Sequence, residues 1–461
     1  MTLTLALLAV YLVTVFVVGA AQRRKAGRDD ASYFVAGRSL DTFWSTIGLA
    51  SLTTGGSTTI VLAGLVFVHG VSGLWFDFAG AAGLLILGLF LARRVRRQAV
   101  VTLPEIVGRA YGPRARWAAA FLVLVSEIVW FALLTEATQV VLTAALGLAP
   151  TAALVLSTAV FVLYTSLGGQ FAVVRTDLVQ YSLMVVGILG IAGFCAVRGA
   201  GGLRGLPPEV WSFPTSPTLG WADIAVWLAL VGLPHLVGSD VYAKLLSCRD
   251  EATARRSAIL AAASKVAFGL AVAAVALAAR KALSPMPPST VLPNAVLAFV
   301  PPALASFVLV ALVATMQSSA DIVLLSASAV TSRDLAPPLL GRPLPLSAAR
   351  ALTPVFGALG LGVALGMDRN VLETLKLGYS IFAAGLILPV LAALLSERPL
   401  VPIAGAVAAM IAGGTVAAAG RFVPALALHQ DPVLAGMGVN LVILVLSGVA
   451  ARFAPAPARA A

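Results

Sequence analysis

Three hydroxyl residues, Thr315, Ser318 and Ser319, are spaced i, i+3, i+4 in the stretch LVATMQSSADIVLLSASAV, residues 312–330. In a helix that spacing puts all three side chains on one face. The stretch is otherwise as apolar as a membrane segment, yet Gln317 and Asp321 stand in it too. Hard, neutral oxygens suit an alkali cation better than soft or nitrogen donors do. In lipid the same hydroxyls also serve to bind one helix to another. Spacing leaves both readings open, and an ion site would need further oxygens from a second segment.

Two segments have the composition to release such oxygens. LASLTTGGSTT (49–59) sets Gly55 and Gly56 amid hydroxyl residues, and GLPHLVGSD (232–240) contains Gly232, Pro234 and Gly238. Proline removes a backbone donor and glycine weakens a helix, so each segment is expected to break, with ordinary kinks as the alternative. Four apolar spans separate the two. Counted from the second span, the breaks open two consecutive five-helix units. Interruptions at corresponding places in two halves point to the central site of a transporter.

The rest of the chain supplies the frame. Of 461 residues, 60% are hydrophobic and 11% charged, against about 25% charged in soluble domains, and mean hydropathy is +1.00. Apolar runs of membrane length recur throughout, and in lipid such runs form helices. Thirteen spans are expected, near 2–20, 43–66, 73–92, 117–147, 151–166, 177–198, 222–246, 257–279, 303–331, 350–366, 371–395, 400–419 and 432–451. The fold class is therefore an all-α polytopic membrane protein. Most of the 31 Lys and Arg fall in alternate loops, which places the N-terminus outside and the C-terminus in the cytoplasm of a cell inner or plasma membrane. The net charge of +12 thus reports topology, and no nucleic-acid partner is expected. The first apolar segment lacks a basic leader and is followed by QRRKAGR, so it reads as a retained helix. Cys195 and Cys248 fall near opposite membrane faces, which argues against a disulfide or a thiol metal site.

Four ordered stretches resemble the sodium:solute symporter family: YFVAGRSL (33–40), LPEIVGRAYGPR (103–114), YTSLGGQFAVVRTDLVQ (164–180) and ATMQSSADIVLLSASAV (314–330). The resemblance implies two inverted five-helix repeats, a LeuT-like core, with sodium between core helices one and eight. It divides the chain into an extra helix and loop (1–42), a first repeat (43–198), a second repeat (199–395), and two further helices and a tail (396–461). Carried over by position, sodium would meet the backbone oxygens of Ser51, Thr54 and Thr315 and the hydroxyls of Ser318 and Ser319. Family members commonly have Ala where this chain has Thr315, whose extra hydroxyl could bond back to its own helix.

Asp177 matches a recurrent family acid beside the sodium pathway; a helix cap paired with Arg175 is the plain alternative. Asp321 recurs in the family's SSAD-like motif and is read as orienting its helix. The substrate candidates are Thr53, Ser57, Asp77 and His235. Asp77 falls where a sugar-transporting relative has a ligand-contacting acid, or else is an exposed boundary charge. His235 sits inside the second break, where it could touch a ligand or bond a freed carbonyl. Trp44 and Trp75 are read as interface anchors. Glu127, Glu136 and Lys376 are charges within spans, with a structural ion pair as their simplest role.

The expected function is sodium-coupled secondary symport of a small organic solute, with Na+ as the coupling ion and membrane lipid as surroundings. No organic cofactor is expected, and no catalytic or phosphate-binding grouping suggests an enzyme. A proton-coupled or uncoupled carrier on the same fold is the first alternative. A membrane sensor or scaffold with vestigial transport is the second, and no span-free stretch is long enough for its output domain.

Overall fold

The computed structural model describes residues 2–22, 29–166, 169–367, 370–396, 400–423 and 431–453, without the side chains of Ser57, Thr58 and Tyr164. Eleven helices among the described residues are long and apolar enough to cross a membrane. Thirteen spans were expected, and the two that differ have physical reasons. The segment 43–66 divides at its glycines, and its second part runs on into the next helix as one stretch, Thr59–Arg97. The other forms the 16-residue helix Pro150–Thr165, shorter than a full crossing. The protein is a multi-pass helical membrane protein.

The helices used below are α1 (Thr2–Ala21), α2 (Thr42–Thr54), α3 (Ser57–His69), α4 (Trp75–Ile86) and α5 (Pro113–Leu146). They continue with α6 (Pro150–Thr165), α7 (Gly169–Met184), α8 (Leu233–Val237), α9 (Ser239–Leu246), α10 (Glu251–Ala282) and α11 (Pro302–Val330). The remaining ones are α12 (Leu346–Gly366), α13 (Val371–Leu395), α14 (Ile403–Phe422) and α15 (Pro432–Phe453).

Both expected breaks are present. The Asp41 carboxylate accepts the Trp44 N–H at 3.1 Å and starts α2, which stops at Gly55 and resumes at Ser57. Gly56 has φ +60°, a conformation that costs other residues energy and glycine little. Gly55 is fixed by space: a Cβ there would lie 2.7 Å from the Thr315 carbonyl oxygen and 2.8 Å from that of Ser51. The second break falls at Gly238, whose extended backbone (ψ 140°) parts α8 from α9.

α11 is the axis of the bundle. Every residue from Val308 through Val330 is buried, polar ones included, and the helix packs on α2, α5, α7 and α12. α5 begins with Pro113 and ends at Gly147 in the left-handed region, the usual proline-start and glycine-stop asymmetry. α10 lies against α2, α3 and α4. Its cap, Asp250, accepts the Thr253 N–H at 2.7 Å, and that bond holds the carboxyl below its ordinary range. α14 and α15 pack on each other and on α13.

Close backbone approach is what lets the broken second segment seat on α4. A Cβ at Gly83 would collide with the Gly232 carbonyl oxygen, a backbone atom that cannot swing away. Gly83→Val is expected to lower the detergent unfolding midpoint by several degrees, in line with the ~1–3 kcal/mol cost of overpacking. Gly362→Ala, at a helix position with no atom within 4 Å of the added carbon, should leave the midpoint unchanged or higher. Equal midpoints for the two variants would contradict the close contact.

Candidate functional site

Hydroxyl groups in these helices sort into two kinds by where their hydrogen bonds go. Thr53 donates to Leu49 O (2.8 Å), Thr54 to Ala50 O (2.6 Å), Thr315 to Leu312 O (2.6 Å) and Ser328 to Leu324 O (2.9 Å). These back-bonds satisfy a polar group within its own helix. Ser51, Ser318 and Ser319 differ. Ser51 donates across to Ser318 Oγ at 2.8 Å, and Ser319 donates to the Leu52 carbonyl at 3.3 Å. All three are buried. The Gly56 N–H reaches the Thr315 carbonyl at 3.2 Å.

The structure thus brings Ser51, Ser318, Ser319 and the Thr315 carbonyl to one seam between α2 and α11. The Ser51 and Thr315 carbonyl oxygens both converge on the place a Gly55 side chain would occupy. The extra hydroxyl of Thr315 turns back onto its own helix, while its carbonyl meets the Gly56 N–H at the seam. Thr54 is buried there with its hydroxyl back-bonded. Leu52, whose carbonyl meets Ser319, was not singled out in the sequence, because any side chain can offer its backbone oxygen.

Two buried ion pairs flank the seam. Asp177 is fully buried and its Oδ2 accepts from the Lys244 ammonium at 2.5 Å. The expected alternative partner, Arg175, instead lies 3.8 Å over the Trp44 ring; residues two apart do not share a helix face. A Cβ at Gly48 of α2 would sit 3.3 Å from Asp177 Oδ2, so the carboxylate lies against the first half of the broken helix. Asp77 is not an exposed boundary charge: it forms an ion pair with Lys265 at 2.8 Å, both side chains wholly buried. The same ammonium donates to the Thr53 carbonyl at 2.7 Å. Lys265 was not among the candidates singled out in the sequence, where a lysine at that depth is the signal that could have raised it.

Thr53 and His235 line a cleft whose walls come from both breaks, α5 and α13. His235 also bonds the Val231 carbonyl through Nδ1 at 2.8 Å, the structural one of the two roles considered for it. The Ser57 side chain lies outside the described residues. Asp77 is not part of the cleft wall, being turned to Lys265 on α10. Glu127 and Glu136 depart from the ion-pair reading. Glu127 accepts from Ser326 at 2.8 Å and Glu136 from Thr374 at 3.0 Å, while Lys376 pairs with Glu373 on its own helix at 3.0 Å. Asp321 accepts from Thr165 at 2.7 Å, an interhelical tie that orients α11. Trp75 stacks on Phe213 and donates to the Pro214 carbonyl at 2.9 Å, which anchors a loop and leaves the cleft to others. Cys195 and Cys248 are both free thiols, and no cluster of metal-ligating side chains occurs among the described residues.

The sequence profile of the sodium:solute symporter family matches residues 33–413. High-affinity choline transporter 1 of Drosophila melanogaster is 24% identical over 346 residues, covering 71% of this chain and 56% of that protein. Sodium/myo-inositol cotransporter 2 of Oryctolagus cuniculus is 29% identical over 293 residues, 57% of this chain and 43% of that one. The chain spans about half the length of these relatives. A solved structure of a Na+-coupled sialic acid symporter, substrate-bound and outward-open, superposes with TM-score 0.82 over 98% of both chains at 17% identity. The fold is accordingly that of the inverted-repeat transporters, with no enzyme among these likenesses.

The Asp77–Lys265 pair makes a direct test of how the flank of the seam is held. Asp77→Leu leaves a buried ammonium without its carboxylate and is expected to cost ~3–5 kcal/mol of stability, whereas Asp77→Leu/Lys265→Met should recover most of that loss. Thermal unfolding of the three proteins checks it. A double variant no more stable than the single one would show that Lys265 is held by other contacts.

Proposed function

The chain belongs to the sodium:solute symporter family, and from that premise we propose that it is a sodium-coupled symporter carrying a small organic solute by alternating access. The observation that carries the proposal is the seam where Ser51, Ser318 and Ser319 bond across α2 and α11 while neighbouring hydroxyls back-bond within their helices. Sodium is transported cargo in this reading. The donor set is uncharged, oxygen-only and drawn from two helices, as a hard monovalent cation prefers. Ser318 and Ser319 would offer hydroxyl oxygens, and Ser51, Thr54 and Thr315 carbonyl oxygens, with Asp177 lending negative charge from beside α2.

Coupling requires the ion to bind one conformation more tightly than the other. A site split between two helices provides this difference, because it is complete only while α2 and α11 are in contact. Sodium would hold them together, the solute would occupy the cleft lined by Thr53 and His235, and separation of the helices would release the ion. The distribution of Lys and Arg orients the chain with its N-terminus outside. The names of the relatives, choline and myo-inositol transporters, do not converge on one solute.

The test compares purified protein in NaCl and KCl. Sodium should raise the unfolding midpoint, with ~2.7 kcal/mol available at one hundred times the dissociation constant, and Ser318→Ala/Ser319→Ala should abolish the difference. In proteoliposomes, solute uptake should need an inward sodium gradient. Equal midpoints and equal uptake in the two salts, with uptake following pH instead, would replace sodium by the proton as the coupling ion.

A further inference from the structure

The cleft contains a charge pattern that the sodium seam does not explain. Its wall includes two acids, Glu127 and Asp240, and three aromatic rings, Trp130, Tyr379 and Phe382, while no Lys or Arg lines it among the described residues. The lysines nearest in the fold are committed elsewhere: Lys244 to Asp177 and Lys265 to Asp77 and the Thr53 carbonyl. Glu127 is 6% exposed and accepts a hydrogen bond from a hydroxyl, that of Ser326. Ser326 also lies 3.0 Å from Ser239 beside Asp240. Trp130 and Tyr379 meet edge to face with centroids 4.2 Å apart. The buried Trp130 indole N–H finds no acceptor among the described residues.

From these features we propose that the solute is a small organic cation, an ammonium with an apolar shell. This deepens the symport reading by naming the class of solute its cleft takes. A carboxylate as buried as that of Glu127, with no basic partner, is costly unless a cation joins it. Aromatic faces attract an ammonium through the negative face of the ring, and attract it more strongly when water is excluded. A zwitterion's carboxylate would need the bidentate cation that this cleft lacks. A neutral polyol would gain little from three rings beside two carboxylates. The unused indole N–H is a donor for an oxygen elsewhere on the cation, such as a hydroxyl.

The full chain in detergent is followed by thermal unfolding with choline, myo-inositol or proline as probe, each in NaCl and in KCl. Choline should raise the midpoint by several degrees in NaCl, and the other two should not at the same concentration. Glu127→Gln and Trp130→Leu should each raise the half-saturating choline concentration tenfold or more. If neither variant folds, competition in the unaltered protein decides: tetramethylammonium should displace choline and myo-inositol should not. Stabilisation by inositol or proline without choline would overturn the proposal, as would unchanged choline affinity in Glu127→Gln. A sodium shift that Glu127→Gln removes, with no effect of choline, would assign the acids to an inorganic ion and also overturn it. The two readings fail separately. Choline binding that is equal in NaCl and KCl would sink sodium coupling and keep the solute class, whereas a sodium shift lost in Ser318→Ala/Ser319→Ala without choline binding would do the reverse.

Discussion

A helix that ends inside a membrane leaves its last carbonyl oxygens without partners and without water to replace them. Much of the central structure follows from that constraint at the end of α2. The Leu52 carbonyl is met by Ser319 of α11, and the Thr53 carbonyl by Lys265 of α10. The N–H of Gly56, just past the break, is met by the Thr315 carbonyl. Two long helices are thereby tied to one interruption through main-chain atoms. Glycine at 55 and 56 makes the interruption possible, and its small size lets the carbonyls approach. Breaking a helix here concentrates polar atoms of one sign, which is also what binding a cation requires.

The parts of this arrangement that could be read in the sequence are those set by local rules. Both breaks were legible because Gly and Pro act on their own backbone. The shared face of Thr315, Ser318 and Ser319 follows from the period of a helix, and the side chains of Ser318 and Ser319 do meet α2. The partners of charged groups were not legible, since Asp177 and Lys244, or Asp77 and Lys265, are joined by packing of distant segments. Proximity in sequence suggested Arg175 for Asp177, and geometry on the helix excluded it. Glu127 was visible as a charge in a span but not as a neighbour of Asp240. Their common location depends on α5, α9 and α13 meeting beside the second break. The count of crossings differed for a related reason, because whether a broken segment continues into the next helix is decided by the turn between them.

The extra helix at the N-terminus shows the same chemistry on the outside of the bundle. α1 is mostly turned away from the protein, yet Tyr11 donates to Gln317 of α11 at 2.7 Å and Thr4 to Ser306 at 2.9 Å. Gln180 of α7 donates to the Tyr11 hydroxyl at 3.2 Å. Where lipid offers no hydrophobic drive for association, such bonds and close packing hold helices together. Gln317 thus looks outward to α1 while its neighbours Ser318 and Ser319 look inward to α2. One turn of α11 serves both assembly and the seam.

Lys265 places a positive charge against the Thr53 carbonyl, where a diffusible ion could otherwise lodge. Being covalently attached, this ammonium returns to its starting point after every conformational cycle. The membrane voltage therefore does no net work on it, since one full turn carries it across no part of the field. A cation of this kind can neutralise Asp77 and support the broken helix while adding nothing to the charge moved per cycle. The current such a protein draws would then be set only by the ions and solute that leave.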